Sequence, residues 1–123
     1  MNTKVILLVE DDPFLIDIYK TKMEEEGFVV EVAERGDAIF TKLEQLRPDL
    51  IILDIVLPQM DGWEVLRKIK SDERLKELKV MVLSNLGQKE EVEKGIKLGA
   101  EKYLIKAYYT PSQVVEEIKK ILN

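Results

Sequence analysis

The sequence predicts an α/β domain, a doubly wound five-stranded parallel sheet with helices on both faces. Three observations carry that expectation. Short aliphatic runs alternate with amphipathic stretches five times along 123 residues, as parallel strands joined by right-handed helical crossovers require. Three of the runs, Val5-Ile6-Leu7-Leu8-Val9, Leu50-Ile51-Ile52-Leu53 and Val80-Met81-Val82-Leu83, contain no polar residue, which is the signature of strands buried on both faces. The other two are mixed: Phe28 to Ala33 carries Glu31, and Tyr103-Leu104-Ile105 lies between Lys102 and Lys106. Apolar runs belong in the centre and mixed ones at the edges, which fits the strand order 2-1-3-4-5 of a flavodoxin-like (βα)5 sheet.

The first strand ends in Glu10-Asp11-Asp12, and Asp12-Pro13 reads as an N-cap followed by proline at the first helical position. Phe14, Leu15, Ile18, Tyr19 and Met23 then recur at helical spacing up to a stop at Gly27. After the second strand a helix is expected over Gly36–Leu46, with Ile39, Leu43 and Leu46 on one stripe, and Pro48-Asp49 leads into the strand that ends at Asp54. Asp61-Gly62-Trp63-Glu64 fits a capping box, and Val65, Leu66 and Ile69 supply the buried face of the helix it opens. Ser71 to Lys79 reads as a charged linker with at most one further helical turn. A helix from Lys89 to Leu98 closes at Gly99. Thr110-Pro111-Ser112-Gln113 is a second capping box, and Val114, Val115, Ile118, Ile121 and Leu122 form the stripe of the last helix.

Composition narrows the chemistry. A chain of 123 residues, 46% apolar and 35% charged, suits one soluble domain over residues 1–123, with nothing after the last helix for an output domain. A formal charge of −5 argues against a nucleic-acid or anionic-membrane surface, because phosphate binding needs an excess of Lys and Arg. With no Cys and no His, disulfides, thiolate nucleophiles, zinc sites and imidazole acid–base chemistry are all excluded. Any metal must therefore be bound by oxygen. No apolar run approaches the roughly 20 residues of a membrane span, and Met1-Asn2-Thr3-Lys4 shows no signal-peptide pattern, so a cytoplasmic protein is expected.

Asp54 is the residue that most needs explaining. An ionised Asp at the end of a buried strand loses hydration, and a cation, hydrogen bonds or a function must offset that loss. In an open parallel sheet the ligand site lies beyond the carboxyl ends of the strands, near the switch point between strands one and three. Those ends deliver Glu10-Asp11, Asp54, Ser84 and Lys106 to one rim. Carboxylates about 5 Å apart repel by roughly 3 kcal/mol per pair at an effective dielectric near 20, so a positive charge is expected among Glu10, Asp11 and Asp54. Oxygen ligands in a small hydrated pocket favour Mg²⁺. By the same reasoning, Asp54→Asn or added Mg²⁺ is expected to raise the melting temperature. Lys106 and Ser84 can neutralise the oxygens of a phosphoryl group, and Asp54 is the only well-placed nucleophile. Three consecutive acids after the first strand would repel the phosphate of FMN. Val56 two residues beyond Asp54 breaks the D-x-D pattern of haloacid-dehalogenase phosphatases.

These residues closely resemble the receiver domain of bacterial response regulators, including its single-domain chemotaxis members. The likeness rests on Val9-Glu10-Asp11-Asp12, on Asp54 followed by Leu57-Pro58-Gln59-Met60-Asp61-Gly62, on Ser84, on Gly99-Ala100, and on Tyr103 three before Lys106. It implies that Asp54 accepts phosphate from a sensor histidine kinase or a phosphotransfer protein, and that Glu10, Asp11, Asp54 and the Val56 carbonyl surround Mg²⁺. It further implies that Ser84 and Lys106 contact the phosphoryl group. Ser84 and Tyr103 would act as a switch, the aromatic turning inward and changing the surface of the fourth helix, fifth strand and fifth helix toward an unknown downstream protein. Taken alone, Tyr103 is also readable as an edge-strand aromatic packing on a helix. The expected state is a monomer or a phosphorylation-dependent dimer, a signalling switch rather than a turnover enzyme.

Two positions depart from that pattern. Ala107 follows Lys106 where the family commonly has a cis proline, and a cis bond to a residue other than proline costs about 2.5–4 kcal/mol, so either a strained cis Lys106–Ala107 bond or a rearranged loop is expected. Asn85 replaces the usual Ala or Gly after the hydroxyl residue, where it could screen the phosphoryl group and alter its lifetime. Both departures leave room for an alternative, a phosphorylation-independent pseudo-receiver that only binds a partner, with a metal-dependent phosphohydrolase third.

Overall fold

Strands form where the aliphatic runs stand, and the helices fall between them. The computed structural model describes residues 3–123 in the order β1 Val5–Val9, α1 Pro13–Glu25, β2 Val29–Ala33, α2 Ala38–Gln45, β3 Leu50–Leu53, α3 Gly62–Ser71, β4 Val80–Ser84, α4 Lys89–Lys97, β5 Lys102–Ile105, and α5 Pro111–Leu122. Met1 and Asn2 lie outside the described residues, and with them the start of the N-terminal stretch read for a signal peptide. The sheet is wholly parallel in the order β2-β1-β3-β4-β5, as the distribution of polar residues predicts. No helix among the described residues is long and apolar enough to cross a membrane.

The period of two along each central strand divides the core. Leu7, Val9, Ile51, Leu53, Val80 and Val82 face α2 and α3, where they meet Ile39, Val65, Leu66 and Ile69. Ile6, Leu8, Leu50, Ile52, Met81 and Leu83 face the opposite way, onto Tyr19 and Met23 of α1 and Val114, Val115 and Ile118 of α5. A doubly wound sheet therefore needs strands with no polar side chain on either face, which is why these three runs are aliphatic throughout.

Caps set the helix starts. Asp12 Oδ1 accepts from the N–H groups of Phe14 (2.9 Å) and Leu15 (3.3 Å), Asp61 Oδ1 accepts from Glu64 N–H (3.0 Å), and Thr110 and Gln113 make both bonds of a capping box, at 3.1 and 2.8 Å. Some boundaries differ from expectation. The second helix is shorter than Gly36–Leu46, and Leu46 is an extended C-cap outside it. Phe14, placed on the buried stripe of α1 by spacing, is 73% exposed, while its neighbour Leu15 packs on the core. The linker after α3 holds the one extra turn foreseen, closed by bonds from Leu75 and Lys76 N–H to the Asp72 carbonyl at 3.0 and 2.9 Å.

Candidate functional site

Strand ends β1, β3, β4 and β5 place Glu10, Asp54, Ser84 and Lys106 around one open cleft of about 380 Å³, which Asp11, Asp12, Leu15, Val56 and Asn85 complete. Glu10, Asp54 and Ser84 are buried to 2%, 5% and 0% exposure, whereas Asp11 is exposed. Every strand-end residue predicted for the site is thus brought together.

Asp54 is held from both sides. Its Oδ1 accepts from the backbone N–H of Ile55 at 2.7 Å and of Val56 at 3.3 Å, and its Oδ2 accepts from Lys106 Nζ at 2.7 Å. Behind it, Gly62 N–H donates to the Ile55 carbonyl at 2.8 Å, and a Cβ at Gly62 would stand 2.4 Å from the Asp54 carbonyl oxygen. That close approach explains the Asp-Gly pair at the start of α3. It lets the helix press against the strand end and brace the carboxylate. The loop between carries a tight reversal, with Met60 N–H donating to the Pro58 carbonyl at 2.9 Å across Gln59 at φ 72°. Such a three-residue turn is strained for any residue but glycine.

Lys106 is the positive charge that the repulsion of the acids calls for. Its Nζ lies 2.7 Å from Glu10 Oε1 and 2.7 Å from Asp54 Oδ2, while Glu10 Oε2 accepts from Asp12 N–H at 3.1 Å. Burial alone would lower the Lys106 pKa, but hydrogen bonds and charge from Asp54 and Glu10 outweigh it and hold the ammonium above its ordinary value. Burial raises the Glu10 carboxyl above 4.5 against the pull of Lys106. One expectation is corrected here. With Lys106 paired to it, removing the Asp54 charge also removes a partner of Lys106, so a gain in stability for Asp54→Asn no longer follows.

Glu10, Asp11 and Asp54 each offer a carboxylate oxygen within 4.8 Å of the others. One ammonium against three carboxylates leaves two surplus negative charges at the rim. An all-oxygen set of this size, open to water, fits a hard divalent cation such as Mg²⁺. Val56, 61% exposed, sits on the lip of the same cleft.

Ser84 Oγ accepts from Leu86 N–H at 3.3 Å, and the Leu86 carbonyl accepts from the Tyr103 hydroxyl at 2.5 Å. Tyr103 is turned inward, half-buried against the α2–α4 side of the core. Its ring lies 6.4 Å from that of Trp63 with the planes 29° apart. Burial, then the negative charges of Glu91 and Asp54, push its phenol up to about 12. The Lys106–Ala107 departure resolves as a rearranged loop. No cis peptide occurs among the described residues; the chain instead turns through a 3₁₀ helix over Lys106–Tyr108, with Ala107 N–H donating to Asn85 Oδ1 at 3.2 Å. Sequence reasoning treated Asn85 and Ala107 separately and passed over Gly95, which packs against Tyr103. Only the aromatic-to-lysine spacing hinted at that neighbourhood.

This geometry sets an acidic, lysine-bridged cleft at the strand ends of an α/β sheet, and comparison with known proteins gives it a family. Residues 6–119 match the response regulator receiver domain, so the chain belongs to that family. It is 32% identical over 120 residues to the chemotaxis protein CheY of Halobacterium salinarum, covering 98% of each chain. It is 37% identical over 103 residues to the DNA-binding dual master transcriptional regulator RpaA of Synechocystis, covering 84% of this chain and 43% of that protein. The chain spans about half the length of most of the curated relatives it matches. Among solved structures, a CheY-like response regulator receiver domain protein from Methanospirillum hungatei superposes with a TM-score of 0.88 at 30% identity, over 98% of this chain and 94% of that one. Receiver domains are switches of two-component signalling rather than turnover enzymes, and they bind Mg²⁺ in an acidic pocket such as that of Glu10, Asp11 and Asp54.

Proposed function

We propose that residues 1–123 act as one receiver module that takes a phosphoryl group onto Asp54 from the phosphohistidine of a sensor kinase or phosphotransfer protein. An Asp54 carboxylate oxygen attacks phosphorus in line as the phosphorus–nitrogen bond breaks, and the donor imidazole departs with the electron pair and takes up a proton. The product is an aspartyl phosphate, a mixed anhydride that water later hydrolyses. Mg²⁺, held by Glu10, Asp11, Asp54 and the Val56 carbonyl, supplies charge neutralisation when bound. The backbone N–H groups of Ile55 and Val56 keep one Asp54 oxygen oriented, leaving the other for attack. That second oxygen is the one paired with Lys106, so Lys106 must follow it from carboxylate to phosphoryl group. Ser84 approaches the phosphoryl oxygens, and Tyr103 reports the change to the α4–β5–α5 surface, where a downstream protein would bind.

Support comes above all from Lys106. A buried ammonium that bridges two acids at 2.7 Å, at the mouth of a cleft with two surplus negative charges, suits a site that must receive a cation and then an anion. The test is incubation with Mg²⁺ and acetyl phosphate, followed by intact mass beside an Asp54→Asn control. One added phosphoryl group that requires both Mg²⁺ and Asp54 is expected. No gain with acetyl phosphate or a kinase donor would move the assignment to a partner-binding module without phosphorylation.

A further inference from the structure

Gly95 stands seventh of the nine residues of α4 and is its one buried position. Glycine is a poor helix former at an interior position, so some contact must favour it there. A Cβ at Gly95 would lie 2.6 Å from Cδ2 and 3.0 Å from Cε2 of Tyr103, and 3.8 Å from Cζ3 of Trp63. The first distance is one that no side chain sustains against an aromatic ring. The missing side chain is therefore a slot, and the Tyr103 ring fills it. Two other contacts hold the ring there: its hydroxyl donates to the Leu86 carbonyl at 2.5 Å, and the Trp63 ring stacks beside it. Lys94 Nζ, one residue before Gly95, covers Trp63 at 4.3 Å from the ring centroid.

We propose that Gly95 is a positioning residue whose absent side chain holds Tyr103 inward, presetting the α4–β5 surface before any phosphoryl group reaches Asp54. The inference rests on the receiver reading, in which the inward aromatic belongs to the phosphorylated state. Leu86 links the two ends, since its N–H donates to Ser84 Oγ while its carbonyl accepts from Tyr103. Whatever favours the inward ring then favours phosphorylation by the same factor, and the reverse, because coupling between two sites is reciprocal. Filling the slot should make phosphorylation harder without touching a residue of the cleft.

Gly95→Ala, Tyr103→Ala and the double variant decide this. With Tyr103 present, Gly95→Ala is expected to lower the melting temperature, to shift the emission of Trp63, the only tryptophan, and to weaken the equilibrium binding of beryllofluoride, a phosphoryl mimic, at saturating Mg²⁺ by about fivefold or more. In the Tyr103→Ala background the slot is empty, and the same change should raise the melting temperature as alanine does in an ordinary helix. Failure of Gly95→Ala to fold while the double variant folds would also support the slot. Equal stabilisation in both backgrounds with unchanged Trp63 emission would overturn it, and shifted emission with unchanged beryllofluoride affinity would overturn the presetting. If the unmodified chain takes no phosphoryl group, the receiver reading and the presetting fall together, while melting and emission still decide whether Gly95 seats Tyr103.

Discussion

At the scale of the residue, Glu10 and Lys106 are in contact, and each loses stability as pH rises, in separate pH windows and for different reasons. The native Glu10 pKa lies above 4.5 because burial disfavours its charged form, despite the pull of Lys106. Ionised Glu10 therefore costs the folded state stability near neutral pH, and that cost disappears as pH falls through the native pKa toward 4.5. Glu10→Gln, which mimics the protonated form, should unfold at higher urea than the unmodified chain near pH 7, with the two midpoints converging as the pH approaches 4.5. Parallel midpoints across that range would refute it. Lys106 runs in the same direction at higher pH, through its contacts with the two acids rather than through burial. Its raised pKa contributes stability that is complete below 10.5 and is lost as pH rises through the native value.

At the scale of the element, the loops after β4 and β5 are joined by a bond that two departures from the family pattern make together. Proline at 107 would have no N–H to give, and it would also disfavour a helical conformation at Lys106, the residue that opens the 3₁₀ turn. Alanine supplies the N–H and permits the turn, and Asn85 supplies the acceptor. The bond is exposed, so its net worth is small, about 0.5 kcal/mol. Asn85→Ala should lose roughly that amount in denaturant unfolding and lose nothing further in an Ala107→Pro background. Additive losses would show that the two residues act independently.

At the scale of the whole molecule, the rim gathers more negative charge than Lys106 balances. The central strands hold no charged side chain on either face, so an acid reaches the rim off the carboxyl end of a strand, and β1 and β3 meet side by side at the switch point. Two uncompensated negative charges there make cation binding a folding term. Mg²⁺ at about 100 times its dissociation constant should add about 2.7 kcal/mol to the unfolding free energy. The rise in melting temperature should be reduced in Asp54→Asn, which removes one of the three carboxylates. An unchanged midpoint for the unmodified chain would exclude a site at this rim.

Much of this was legible beforehand, for a physical reason. Burial on two faces forces uniform apolar runs, and partial exposure permits Glu31 and Lys102, so polarity separated the three central strands from the two edges. Strand ends then located Glu10, Asp11, Asp54, Ser84 and Lys106 without any knowledge of side-chain contacts. Helix ends were less legible, because Leu46 and Phe14 obey helical spacing, yet the backbone is already extended at Leu46 and Phe14 is left in solvent. What only the tertiary structure decided were the choices among partners that spacing cannot rank. Lys106 bridges two acids across 52 and 96 positions of chain, Ala107 meets Asn85 rather than forming a cis bond, and Tyr103 turns inward because α4 leaves it a gap at Gly95. Local sequence sets which groups reach the rim; the packing of elements distant in the chain sets which of them touch.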